Sequence, residues 1–229
     1  MNQPGPDAEL ARLLSLAAHE VRNPLSTILG FVRLALTRGE ISPQHREYLQ
    51  MAINSCGRLQ DVANQLSDYA RLVSGETKLS RTPTDLSAVL QEALDALPDF
   101  RDREITLELL IAKQPATVHA DGHWLKGALT SILDALRREI GSNTLYVQQE
   151  DGDYQGKPAA WILIGDDSQI EVLRQQPKNA LGWFDDKERG NLGLTLWIAK
   201  WVLNAHGGGL WAPATAPKGG GGLVALPYA

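Results

Sequence analysis

Five histidines occur in this 229-residue chain, and one of them, His19, stands in company suited to phosphoryl chemistry. It opens the run His19-Glu20-Val21-Arg22-Asn23-Pro24-Leu25. Neutral imidazole is a good nucleophile toward phosphorus, and its ordinary pKa leaves much of it uncharged near pH 7. Glu20, next to it, can hold the ring tautomer and take up a proton. Asn23 lies one helical turn along the same face. Pro24 has no N–H, so the carbonyl of Glu20 loses its usual partner and a bend is expected. His45, His119 and His123 show no metal-ligand spacing with any carboxylate cluster and are assigned nothing; His206 reads as structural.

The run sits inside a heptad seam. Apolar or small residues recur at Leu10, Leu14, Ala17, Val21, Pro24, Ile28, Phe31 and Ala35 in steps of four and three, which predicts a long helix with His19 pointing away from its packed face. A second seam runs through Leu49, Ala52, Cys56, Leu59, Ala63, Leu66, Ala70 and Val73. Between them Gly39 suits a helix end, and Ser42-Pro43 an N-cap with proline at the first helical position. The two helices form an antiparallel hairpin. Leu13, Leu16, Leu25 and Leu29 make the first apolar stripe wider than one partner helix can cover, so two hairpins pairing as a homodimeric four-helix bundle are expected. Cys56, on the seam, reads as core.

Hydrophobic residues make up 43% of the chain, enough for a core, and the net charge of −5 is spread along it. No nucleic-acid footprint follows. A single cysteine excludes an internal disulfide framework or a cysteine-rich zinc site. There is no secretory signal, and no apolar run reaches the roughly 20 residues that span a bilayer. A cytoplasmic location is expected.

Three regions are predicted: the hairpin over residues 1–74, a hinge at 75–84, and an α/β sandwich over 85–229. In the last, Asp85 caps a helix from Leu86 to Leu97, and a second helix runs from Gly122 to Ile140. Strands are expected at 105–111, 116–120, 144–149 and 159–165. The last helix spans Asn191 to Asn204, and 208–212 and 222–226 close a mixed sheet with helices on one face around a Gly219–Gly222 turn. The fold class is α+β.

The His19 run resembles the phosphoacceptor box of sensor histidine kinases, His-Glu-x-x-Asn/Thr-Pro-Leu, without a departure. Leu192-Gly193-Leu194, followed after one helix by Ala205-His206-Gly207-Gly208, is similar to the second glycine box and the His-Gly-Gly of that family's ATP-binding domain. The other boxes depart from the pattern. The asparagine box falls on Thr130-Ser131-Ile132-Leu133-Asp134-Ala135-Leu136-Arg137, with Asp134 where a Mg²⁺-ligating Asn is expected. The first glycine box falls on Asp166-Asp167-Ser168-Gln169-Ile170, which keeps the Asp and no glycine. Residues 171–188 take the place of the nucleotide lid, with Trp183-Phe184 as its aromatic anchor.

The resemblance implies a two-component histidine kinase. His19 is autophosphorylated from ATP with Mg²⁺, with Glu20 and Asn23 as catalytic partners, and the phosphoryl group passes to an aspartate of a response regulator's receiver domain. Asp134 would ligate Mg²⁺, Arg137 would face the phosphates, Asp166 the adenine amino group, and Asn191 and Gly193 would border the nucleotide. Asp134 should then make nucleotide binding unusually Mg²⁺-dependent, because its charge repels a metal-free triphosphate. A separate sensor protein is a possible further partner. The lost asparagines and glycines keep open a histidine phosphotransferase whose ATP-type domain takes no nucleotide, and a non-catalytic scaffold is the third reading.

Overall fold

The structure is a computed structural model, and it describes residues 6–38, 41–76, 78–97, 105–110, 116–175, 181–183, 193–213 and 221–229. The chain divides into two compact units, Met1–Lys78 and Leu79–Ala229.

The first unit is the helical hairpin: α1, Pro6–Arg38, and α2, Pro43–Val73. Ser42 caps α2, its hydroxyl accepting from the His45 amide at 3.3 Å, and Pro43 starts the helix where an N–H would go unused. The face that α1 turns to α2 differs from the predicted seam. Among the described side chains of α1, Ala18, Leu25 and Leu29 are buried, and Leu25 and Leu29 pack with Cys56 and Ile53. Leu10, Val21, Ile28 and Phe31 of the predicted seam are exposed, Phe31 by 68%. Helix α1 therefore carries two apolar stripes, one filled by α2 and one left open. On α2 the seam residues Cys56, Ala63 and Ala70 are buried, whereas Leu59 is exposed.

The second unit is built on a six-stranded mixed sheet. Its strands are β2 (Thr106–Leu110), β4 (Thr144–Tyr154), β5 (Lys157–Gly165), β6 (Leu181–Trp183), β7 (Gly209–Pro213) and β8 (Gly222–Pro227), in the order β2-β4-β5-β8-β7-β6. Only β2 and β4 run parallel. A separate two-stranded sheet pairs β1 (Thr82–Asp85) with β3 (Thr117–Ala120). Thr82–Asp85, read from sequence as the end of the hinge and a cap, is thus a strand, and Asp85 also caps α3 (Leu86–Asp95) through the amides of Ser87 and Ala88. Helices α4 (Gly122–Leu136) and α6 (Gly193–Ala205) pack on each other, and α4 also packs on α3.

Two further elements went unpredicted, α5 (Asp167–Gln175) and β6. Helix α5 lies against β4 and β5, and its Ile170 and Leu173 join a core cluster with Trp161, Leu163, Leu223 and Ala225. Successive strand residues face opposite ways, and Ile162, Leu163 and Ile164 are all buried. The sheet is therefore covered on both faces, not on one. Arg174 ties α5 to β4, donating to Glu150 at 2.9 Å and to Gln148 at 2.6 Å.

Candidate functional site

His19, Glu20 and Asn23 are all exposed on α1. The packing explains this: Ala18 at 0% exposure and Leu25 at 6% lie on the face turned to α2, and His19, Glu20 and Asn23 lie off it. The turn after His19 has an unusual backbone economy. Pro24 lies inside the helix, and the Ser26 hydroxyl donates to the carbonyl of Arg22 at 3.0 Å and that of Thr27 to Asn23 at 3.3 Å. Side chains bonding back to i−4 carbonyls loosen and bend a helix. Arg22 compensates across the hairpin, donating from Nη2 to Asn64 Oδ1 at 2.9 Å and to Ser67 Oγ at 3.3 Å. An exposed, solvated imidazole with a carboxylate and an amide on the same side can accept and release a phosphoryl group.

The second set of predicted residues is arranged differently. Asp134, on α4, is only 17% exposed. Its Oδ1 accepts from Arg137, from Nε at 2.8 Å and also from Nη2, and its Oδ2 accepts from Arg138 Nη2 at 2.8 Å. Both carboxylate oxygens thus carry a guanidinium, and Arg137 itself is 4% exposed. Two cations thus stand beside the charge that was expected to repel a metal-free triphosphate.

Asp166 is buried at the entrance to α5. Its Oδ1 accepts from the Ser168 hydroxyl at 2.7 Å and the Gln169 amide at 3.1 Å, while the Gln169 side chain returns to accept from the Asp166 amide at 2.9 Å. Reciprocal bonds between an N-cap and the third helical residue form a capping box. The Gly141 amide donates to Oδ2 at 3.1 Å. Burial alone would raise the Asp166 carboxyl, but the bonds from Ser168, Gln169, Gly141 and Ser142 outweigh it and hold it below the usual range. The segment read as a glycine box is therefore a helix start. Gln169 fills the space in front of Gly165 and Gly221: a Cβ on Gly165 would come within 2.7 Å of Gln169 Oε1.

Residues 171–175, read as the beginning of the lid, belong to α5, and Leu181–Trp183 is β6. Gly193 is the first residue of α6. Asn191, Leu192 and Phe184 lie outside the described residues.

His206 is structural, as read from sequence. Its Nδ1 donates to the Val202 carbonyl at 2.7 Å and its Nε2 accepts from the Asp121 amide at 3.0 Å, joining the end of α6 to the cap of α4. Burial lowers its pKa. Sequence reasoning passed over Arg22 and the Asp166–Gln169 box; the Asp-x-x-Gln spacing was the available signal for the second. Among the described residues no group of three or more His, Cys, Asp or Glu is placed to hold a metal ion, and no helix is long and apolar enough to cross a membrane.

Comparison with known proteins bears on both units. Residues 9–75 match the His Kinase A (phospho-acceptor) domain. The match covers the hairpin, and over most of its length the chain is similar to sensor histidine kinases. In particular, it is 24% identical over 217 residues to the sensor protein GacS of Pseudomonas syringae pv. syringae, covering 91% of this chain and 24% of that protein. The chain thus spans about a quarter of the length of the first curated relatives it matches. Two solved structures share the fold. Full-length ShkA in complex with AMPPNP has a TM-score of 0.64 at 20% identity, over 95% of this chain and 46% of that one. The histidine kinase ThkA in complex with the response regulator protein TrrA has a TM-score of 0.54 at 18% identity, over 95% and 61%.

Proposed function

We propose that this chain is the phosphoryl-transfer core of a two-component protein-histidine kinase, in which His19 takes up a phosphoryl group and passes it to an aspartate of a response regulator. The observation that carries this reading is the complete His19-Glu20-Asn23-Pro24 box on an exposed helix face. In the loading step the Nε2 lone pair of His19 attacks phosphorus, the bond to the donor's leaving oxygen breaks, and Glu20 takes the ring proton. In the delivery step a receiver carboxylate attacks the same phosphorus. The P–N bond breaks, its electron pair returns to the ring nitrogen, and Glu20 gives back the ring proton so that neutral imidazole is regenerated. Asn23 orients a water for the reverse hydrolysis of the receiver's phosphate. The ThkA complex with a response regulator protein supports a receiver domain as the partner. The open stripe of Leu10, Ile28 and Phe31 supports pairing of two copies through the hairpin, since apolar stripes of this kind mark interaction surfaces.

ATP with Mg²⁺ is the donor that kinship implies, supplying the phosphoryl group, with Asp134 as metal ligand and Arg137, Asp166, Asn191 and Gly193 around the nucleotide. Asp134 and Asp166 are the right kind of donor, but Asp134 is held by Arg137 and Arg138 and Asp166 by its own helix. As arranged they do not fit a magnesium nucleotide. That arrangement favours a second reading, a histidine phosphotransferase loaded from another phosphoprotein. Incubation with γ-labelled ATP and Mg²⁺ tests the two: acid-labile label on His19 supports the kinase. Label arriving only from a phosphorylated receiver domain supports the phosphotransferase. Label from neither source would sink both.

A further inference from the structure

Arg22 is a polar residue of the box that neither reading employs. It lies one turn after His19 on α1, and helical side chains lean toward the N-terminus, so its stem tilts back toward the imidazole's turn. The surrounding backbone is weakened by Pro24 and by the Ser26 and Thr27 hydroxyls on the Arg22 and Asn23 carbonyls. At this point two polar links cross the hairpin: Arg22 Nη2 to Asn64 and Ser67, and Gln60 Nε2 to Ser26 Oγ at 3.4 Å. The apolar contact of Leu25 and Leu29 with Cys56 begins only beyond the proline. On the near side, among the described residues, Ala18 of α1 is buried, as are Tyr69 and Ala70 of α2.

We propose that Arg22 is a positioning residue: its guanidinium braces the loosened turn against Asn64 and Ser67 of α2 and so fixes the direction in which His19 and Asn23 face solvent. The proposal rests on His19 as the phosphoacceptor. Both bonds leave one nitrogen, Nη2; a lysine ammonium also has donors to spare, but on a stem without the guanidinium's planar, fixed geometry, so it should hold the pair less firmly.

Two measurements test the brace. In the first, amide hydrogen exchange over residues 19–27 is read in the whole chain for Arg22→Met, which keeps the stem, for the Asn64→Ala/Ser67→Ala pair, and for all three changes together. Protection should fall about tenfold in each, with no further loss in the combination, because coupled groups are not additive. Unchanged exchange in Arg22→Met, or additive losses, would overturn the brace. In the second, the rate of phosphoryl exchange at His19 should drop about tenfold in Arg22→Met with the same final extent of labelling, and Arg22→Lys should recover part of it. Weakened protection with an unaltered transfer rate would overturn the positioning role. A wild type that takes no phosphate from either donor would defeat the phosphoacceptor reading instead, and the exchange result would still decide the brace.

Discussion

The two units treat their chemical residues in opposite ways. On the hairpin, His19, Glu20 and Asn23 stand exposed, and the folding forces run behind them through Ala18, Leu25 and Leu29. In the α/β unit, Asp134, Arg137 and Asp166 are bonded to one another or to their own backbone and help to hold the fold. A polar group left free at a folded surface is available to a substrate; one satisfied internally must first be released, at a cost of about 1–3 kcal/mol. The same residue types thus mean different things in the two places.

The contrast can be broken most decisively at His19. His19→Gln keeps the size and removes the nucleophile, so acid-labile phosphate should fall by more than about a hundredfold, or about 2.7 kcal/mol, with the circular dichroism unchanged; label persisting on that variant would show that the reactive histidine is another. Next in size is the open stripe. Ile28→Glu with Leu59→Glu places charges on exposed apolar positions, and light scattering should show the mass halving from dimer to monomer at micromolar concentration. A wild type already monomeric there removes the bundle from the account.

Asp134→Ala should act on stability. It takes the carboxylate away from the buried Arg137, and breaking a largely buried pair costs about 3 kcal/mol, visible as a lower melting transition by calorimetry. Stability unchanged to within half a kcal/mol would show that the carboxylate is free for other work. Asp166→Ala removes an N-cap, worth about 1 kcal/mol. Because the folded carboxyl is held below its usual range, that contribution is complete above the ordinary carboxylate pKa and fades as pH falls through the folded value. The variant should therefore lose the steepest part of the acid limb of a stability–pH curve.

The smallest effect belongs to His206. Its folded pKa lies below the ordinary 6.5, so its stabilisation is whole above that pH and lost as pH falls toward the folded value, when Nε2 gains a proton and can no longer accept from Asp121. His206→Gln should flatten that slope by a few tenths of a kcal/mol; an identical slope would place the titration elsewhere.

How much of this could be read from residues alone differs between the units for physical reasons. The hairpin was legible because both helices repeat long heptad patterns, but the inward face was misassigned by about one position. Leu10, Val21 and Ile28 and the neighbouring Ala18, Leu25 and Leu29 are equally apolar, and periodicity cannot tell which stripe meets α2. Helix α5 was missed because Asp166-Asp167-Ser168-Gln169 satisfies two grammars at once, a glycine box that has lost its glycines and a capping box. Three-dimensional context decides between them, through Ile170 and Leu173 packing on Trp161 and Leu163. Strand β6, three residues long, is too short to show any period. The pairing of Asp134 with Arg137 and Arg138 follows from i,i+3 and i,i+4 spacing and was within reach.

The placement of β8 has a consequence for the order in which this molecule can assemble. Last of the strands along the chain, it lies between β5 and β7. Until residues 222–227 have been synthesised, β2-β4-β5 and β7-β6 have no seam to join them. The hairpin, whose contacts are mostly local, can form early on the ribosome. A premature stop a few codons upstream of β8 would therefore leave a helical pair attached to two unjoined half-sheets with bare edges, a species prone to aggregate.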